Sequence, residues 1–213
     1  MKKMYVLGMM FVLSVLSGMM AFADMGERQN AIRESYVLEG KANYAGAIKS
    51  LAGQYNQEPT DYFINLRMGW LNYLLGNFKN ALQHYNAAID AKGHSKAAGL
   101  GKVNTLMKTQ DWTGYEDALK TLTKVFRSDY DLNLRLANYY LNTKKYEEGA
   151  EVTGNLIPYY PDDVVLLNTH GYLNMLAGKK EHAEKTFHEV LSISPDNVIA
   201  KGHLTELAKN KSS

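Results

Sequence analysis

The chain has 213 residues, with 24 lysines and arginines against 22 aspartates and glutamates, a formal charge of +2, and no cysteine. Without cysteine there can be no disulfide staple, thiol nucleophile or thiolate metal site. Lys2 and Lys3 account for the whole charge excess, so the other 22 basic residues balance the 22 acidic ones, and no basic run offers a face for nucleic acid or an anionic membrane surface.

The chain begins with Lys2 and Lys3 followed by an apolar run from Met4 to Phe22, broken only by Gly8, Ser14, Ser17 and Gly18. Ala21-Phe22-Ala23 then supplies small residues around a cut before Asp24. This order of charge, apolar stretch and small residues predicts a secretory signal peptide over residues 1–23 and an exported protein, periplasmic or extracellular. The alternative is an uncleaved inner-membrane anchor over residues 4–23, since about 20 apolar residues span a bilayer. A lipoprotein anchor is excluded because no cysteine stands at the junction.

Residues 24–213 are expected to form one extended, all-α domain with a continuous core and no internal linker. Aromatics recur every 34 residues at Tyr44, Phe78, Trp112 and Tyr146, and a second row holds Tyr36, Trp70, Asn104, Asn138 and Tyr172. Small residues keep the same frame at Ala47, Ala81, Gly149 and Ala183, as do Pro59, Pro161 and Pro195. Small residues permit a close crossing of two antiparallel helices, an aromatic opens the second helix, and proline ends it. A period of this length marks a stacked helical repeat.

These ladders resemble the tetratricopeptide repeat family. Met68-Gly69 and His170-Gly171 match the large-small pair of the family's first helix, with Ala81 and Ala183 twelve residues after each glycine, and Leu136-Ala137 with Gly149 repeats that spacing. The resemblance implies a right-handed superhelical solenoid of about five helix-turn-helix repeats, at 28–61, 62–95, 96–129, 130–163 and 164–197, closed by a capping helix over 198–210. Repeats 62–95 and 164–197 carry the pattern most fully. The third departs from it, with Tyr115 where its neighbours have Ala or Gly and Arg127 where they have Pro or Gly, which leaves room for a register slip of a few residues.

Catalytic motifs are missing from the sequence: there is no G-x-S-x-G, no S-x-x-K and no phosphate-cradling glycine loop, and Gly99-Leu100-Gly101 lacks the third glycine. No two of His84, His94, His170, His182, His188 and His203 stand three or four residues apart, so no helix face presents paired metal ligands. His170 reads as a partly buried core residue. Asp162-Asp163 and Asp196-Asn197, after prolines, read as helix caps. The expectation is a protein with no catalytic activity, no cofactor, no metal, no small-molecule substrate and no nucleic-acid partner.

By the same resemblance, the first helix of each repeat lines a concave groove that holds a partner. The frame places Tyr36, Trp70, Asn104, Asn138 and Tyr172 in one groove row, with Phe63, Tyr73, Met107, Asn142, Asn168 and Met175 in adjoining rows. Trp70 and Tyr172 would hold apolar side chains, and the asparagine amides would pair with an extended backbone. The lysine-based carboxylate clamp of chaperone-tail binders is absent, because Leu66 with Trp70 and Leu100 with Asn104 occupy its positions. The function implied is a protein-protein interaction scaffold of the cell envelope that binds a partner protein or extended peptide, with secretion, pilus and cell-wall assembly as its settings. The alternative is a self-assembling structural solenoid, a homo-oligomer joined through its tyrosines.

Overall fold

The structure, a computed structural model, describes residues 25–209. The signal segment 1–23 expected from the sequence, and Asn210 of the capping helix, lie outside the described residues. Helix α1 covers residues 25–40. It is followed by α2 (Tyr44–Gln57), α3 (Tyr62–Leu75), α4 (Phe78–Lys92), α5 (Lys96–Lys108), α6 (Trp112–Val125), α7 (Tyr130–Asn142), α8 (Tyr146–Leu156), α9 (Val164–Leu176), α10 (Lys180–Ile193) and α11 (Val198–Lys209), with a 3-10 turn at Ile157–Tyr159. No strand occurs among the described residues, and none of their helices is long and apolar enough to cross a membrane.

From α2 onward the helix starts fall on the 34-residue frame. First helices begin at Tyr62, Lys96, Tyr130, Val164 and Val198, and second helices at Tyr44, Phe78, Trp112, Tyr146 and Lys180. The third repeat has therefore not slipped. Local chemistry explains the regularity, because Asp61, Ser95, Asp129, Asp163 and Asn197 also recur every 34 residues, each just before a first helix. Each side-chain oxygen accepts the backbone N–H three residues on, at Ile64 (2.8 Å), Ala98 (3.2 Å), Leu132 (3.1 Å), Leu166 (2.7 Å) and Ala200 (2.9 Å). Such a cap answers one of the donors a helix start leaves open. Between the helices of each pair one residue takes positive φ: Ala42 (55°), Gly76 (82°), Gln110 (58°), Lys144 (60°) and Gly178 (78°), again 34 apart. Glycine occupies this turn in the two repeats whose motif is fullest.

The helices pack into two compact units, the first ending at Thr109 and the second starting at Gln110. The division falls inside the third repeat, whose motif is the most degenerate, and the bulky Tyr115 there packs its ring on Tyr139 of α7 in the second unit, centroids 5.3 Å apart.

Each unit is built from small apolar clusters between neighbouring helices. Ala47, Leu51, Ile64, Met68 and Leu71 form one in the first unit, and Ala81, Tyr85, Ala88 and Ala98 the next. In the second unit Ala137, Ala150 and Leu173 form one cluster, and Leu167, Ala183, Phe187, Val190, Ala200 and Leu207 another, so α11 buries its apolar face on the last pair. Burial of this kind, at about 25 cal/mol per Å² of apolar surface, supplies the driving force that isolated helices of this length lack.

A further ladder joins successive repeats within a unit. Arg28 pairs with the cap Asp61 at 2.9 Å, and the Tyr62 hydroxyl lies 2.8 Å from the cap Ser95 Oγ. In the second unit Tyr130 donates to the cap Asp163 at 3.0 Å. Buried amides brace the turns too, for Asn65 Nδ2 donates to the carbonyls of Pro59 and Asp61, and Asn133 Nδ2 to those of Arg127 and Asp129.

Candidate functional site

In the first unit α3 and α5, the first helices of two successive repeats, enclose a pocket of about 320 Å³. Leu66, Trp70 and Tyr73 of α3 form one wall, and Ala97, Leu100, Gly101 and Asn104 of α5 the other. Tyr85 of α4 also lines it. The Tyr85 ring is 3 % exposed and lies so close to both first helices that a Cβ at Gly101 would meet its Cε1 at 2.2 Å, and one at Gly69 its Cδ1 at 2.8 Å. Glycine at both positions lets the ring lie flush between them. Burial and the neighbouring Tyr73 push the Tyr85 phenol well above its usual range, so it stays protonated.

Trp70 is 40 % exposed but firmly placed. Its indole N–H donates to Glu39 Oε1 at 2.7 Å, and its ring stacks on Tyr73 at 5.8 Å and 18°. Glu39 is held in turn by an ion pair with Arg67 Nη1. Arg67, buried at 6 % exposure, donates through Nε to Ser35 Oγ at 3.1 Å and lays its guanidinium over the Tyr36 ring at 3.7 Å. With its only N–H already bonded to Glu39, the indole offers the pocket an apolar face and no donor. The lining is otherwise aliphatic and aromatic, apart from the Asn104 carboxamide. Such a lining suits an uncharged side chain and offers a charged one no counter-ion.

Of the residues expected in the groove, Trp70, Tyr73 and Asn104 converge on this pocket. Tyr36 stands beside it through the Arg67–Glu39–Trp70 chain of contacts. Phe63, half-buried on α3, has the Arg28 guanidinium 6.0 Å from its ring centroid. Asn138, Asn142, Asn168 and Tyr172 belong to the second unit. Asn138 and Asn142 are exposed on α7, and Tyr172 stacks on His203 of α11 at 4.9 Å. Asn168 departs from the expectation of a groove side chain. It is buried, its Nδ2 donating to the Val164 carbonyl at 2.9 Å and to Asn197 Oδ1 at 3.4 Å, so it ties α9 to the cap of α11.

Sequence reasoning missed Glu39 and Arg67, and met Leu66 and Leu100 only as missing clamp residues. The 34-residue spacing of Leu66 and Leu100, next to the matched pair Trp70 and Asn104, was a usable signal for an apolar wall. Nothing local marks the Glu39–Trp70 bond.

His170, read as a core histidine, is half-buried between α8 and α9. Its Nδ1 lies 2.8 Å from Thr153 Oγ1, and Asn174 Nδ2 lies 3.0 Å from its Nε2. In the second unit Glu116 binds Lys120 at 2.8 Å and Lys145 at 2.6 Å. Burial pushes its carboxyl up, but hydrogen bonds and charge from the two lysines outweigh this and bring it down to about 2. That cluster joins α6 to the start of α8. No group of three or more metal-ligating side chains occurs among the described residues.

No family model matches the sequence, and no curated protein does. Solved structures do match in fold. A crystal structure of the MamA protein has a TM-score of 0.60 at 15 % identity, covering 79 % of this chain and 92 % of that one. A tetratricopeptide repeat protein from Parabacteroides merdae ATCC 43184 gives 0.61 at 16 %, covering 85 % and 72 %. YrrB, described as a TPR protein with an unusual peptide-binding site, gives 0.59 at 13 %, covering 87 % and 96 %. With its helix pairs on the 34-residue frame, the chain has the all-α fold of the tetratricopeptide repeat proteins.

Proposed function

We propose that the protein is a non-catalytic interaction module of the cell envelope that holds an extended segment of a partner protein against the first helices of its repeats. The observation that carries this reading is the Trp70 pocket, an apolar socket with an amide at its rim, on the helices that in this fold face a ligand. The peptide-binding site named for YrrB supports the same reading, as a likeness of fold. The partner's anchor is an uncharged aliphatic or aromatic side chain seated between Trp70 and Leu100, and Asn104 pairs with the adjoining backbone. The order of charge, apolar run and small residues over 1–23 supports export and a partner in the envelope, where secretion, pilus or cell-wall assemblies supply suitable chains.

Selection of a displayed random-peptide library on the purified protein tests the site. Peptides sharing one apolar anchor, whose binding falls at least tenfold with Trp70→Ala while helicity is unchanged, would support it. A recovered set indifferent to Trp70→Ala, or none at all, would overturn it. Fusion of residues 1–30 to a reporter active only outside the cytoplasm, with N-terminal sequencing for a chain starting at Asp24, tests export independently. Light scattering over a range of concentrations separates this reading from self-assembly, which predicts a rising mass.

A further inference from the structure

The second unit contains a pocket of different chemistry, on the second helices of its repeats. Helix α8 has 11 residues, where α2, α4, α6 and α10 have 14 or 15. Pro158 explains the shortening, since it has no N–H to carry the helix on, and the chain tightens instead into the 3-10 turn Ile157–Tyr159. Between this turn and the end of α6 a pocket of about 420 Å³ opens. Lys124 and Arg127 stand on one side, Val152, Asn155 and Tyr159 on the other.

No carboxylate lines this pocket. Among the described residues neither Lys124 nor Arg127 has an ion-pair partner. Arg127 uses Nε on the Lys124 carbonyl at 3.3 Å, which answers the helix end and leaves the rest of the guanidinium available. Its backbone is anchored, because Asn133 Nδ2 donates to its carbonyl at 3.1 Å. The frame makes this arginine conspicuous: Pro59, Gly93, Pro161 and Pro195 occupy the same position in the other repeats. The turn does not require a long cationic side chain there, and none of the others has one.

We propose that this pocket is a second docking site, which takes an aspartate or glutamate side chain of a partner polypeptide between Lys124 and Arg127. The carboxylate oxygens accept from the lysine ammonium and the guanidinium, a pairing whose planar fork suits a carboxylate. Asn155 and the Tyr159 hydroxyl supply further donors, and Val152 with the Tyr159 ring packs the apolar stem of the acidic residue. Two cations are too few to track a nucleic-acid backbone, which engages a run of phosphates. The site lies within the second unit and requires nothing of the Trp70 pocket.

The test is an amide-resolved NMR titration of the protein with acetyl-Ala-Leu-Glu-Leu-Ala-amide and with its glutamine counterpart. The expected result is shifts centred on Val152, Asn155 and Tyr159 with the glutamate peptide, roughly fivefold weaker with the glutamine one, the size of an exposed ion pair. The shifts should fade in 0.5 M salt and in Lys124→Gln/Arg127→Gln, and persist in Trp70→Ala. Equal binding of the two peptides, shifts retained by the double variant, or no shifts at this pocket at millimolar peptide would overturn the proposal.

Discussion

Tyr130 donates its phenolic hydrogen to Asp163 Oδ1 at 3.0 Å, the same oxygen that caps α9 through the Leu166 N–H at 2.7 Å. One carboxylate thus fixes the start of its own helix and binds the first turn of the helix one repeat earlier. Burial, and then the hydrogen bond to Asp163, push the Tyr130 phenol up to about 12. Tyr130→Phe keeps the ring that packs edge-on against Tyr160 at 5.1 Å and removes only the bond. It should lower stability by about 1 kcal/mol, measured as a fall in the urea midpoint with unchanged slope. No fall would mean that the cap alone sets the joint between the repeats.

The fifth repeat closes on Phe187, whose ring lies under Gly171 so tightly that a Cβ there would meet Cε1 at 2.7 Å. The ring also stacks on His203 of α11 at 5.1 Å, so it has little room to retreat. Gly171→Ala should cost about 1 to 3 kcal/mol through overpacking, despite alanine's better helix propensity. A melting temperature equal to or above wild type would show that the ring can move aside.

Lys144 takes φ 60° in the turn where Gly178 takes 78°. An L side chain there costs about 1 kcal/mol that glycine avoids. Lys144→Gly should raise stability by about 0.5 to 1 kcal/mol and Gly178→Ala should lower it by a similar amount, in chemical denaturation. Opposite signs at the two sites are the decisive outcome; a loss at both would indicate that the lysine side chain contributes more than its backbone strain removes.

His170 gives the stability a pH dependence. Asn174 Nδ2 donates to the His170 carbonyl and lies 3.0 Å from Nε2, so Nε2 accepts, and Nδ1–H is left to donate to Thr153 Oγ1. The network suits the neutral ring. Burial, foremost, lowers the His170 pKa; the nearby His182 adds to this and the Ala150 carbonyl opposes it. A histidine whose folded pKa lies below its unfolded value of about 6.5 contributes stability that is whole above that pH and is lost as pH falls toward the folded value. The urea midpoint should therefore drop between pH 7.5 and 5 in wild type and drop less in His170→Gln. His84, also lowered by burial, will keep part of the slope in the variant. Parallel profiles for the two proteins would remove His170 from the account.

The sequence by itself determined the helices, their starts and their turns. Caps such as Asp163 and Asn197, and the left-handed residue before each second helix, act over three or four residues, so one repeat's worth of chain specifies them wherever it sits. Close crossings marked by Gly69 with Ala81, or Gly171 with Ala183, were legible for the same reason, because small residues leave a signature on the frame. Only the tertiary structure decided which side chains meet across repeats. Glu39 reaches Trp70 and Arg67 from about thirty residues away, Asn168 turns inward to the cap of α11, and Arg127 is left facing a pocket because Pro158 ends α8 early. Those outcomes depend on rotamers and on partners brought together by helix packing, and packing energy is shared among contacts that no local spacing records.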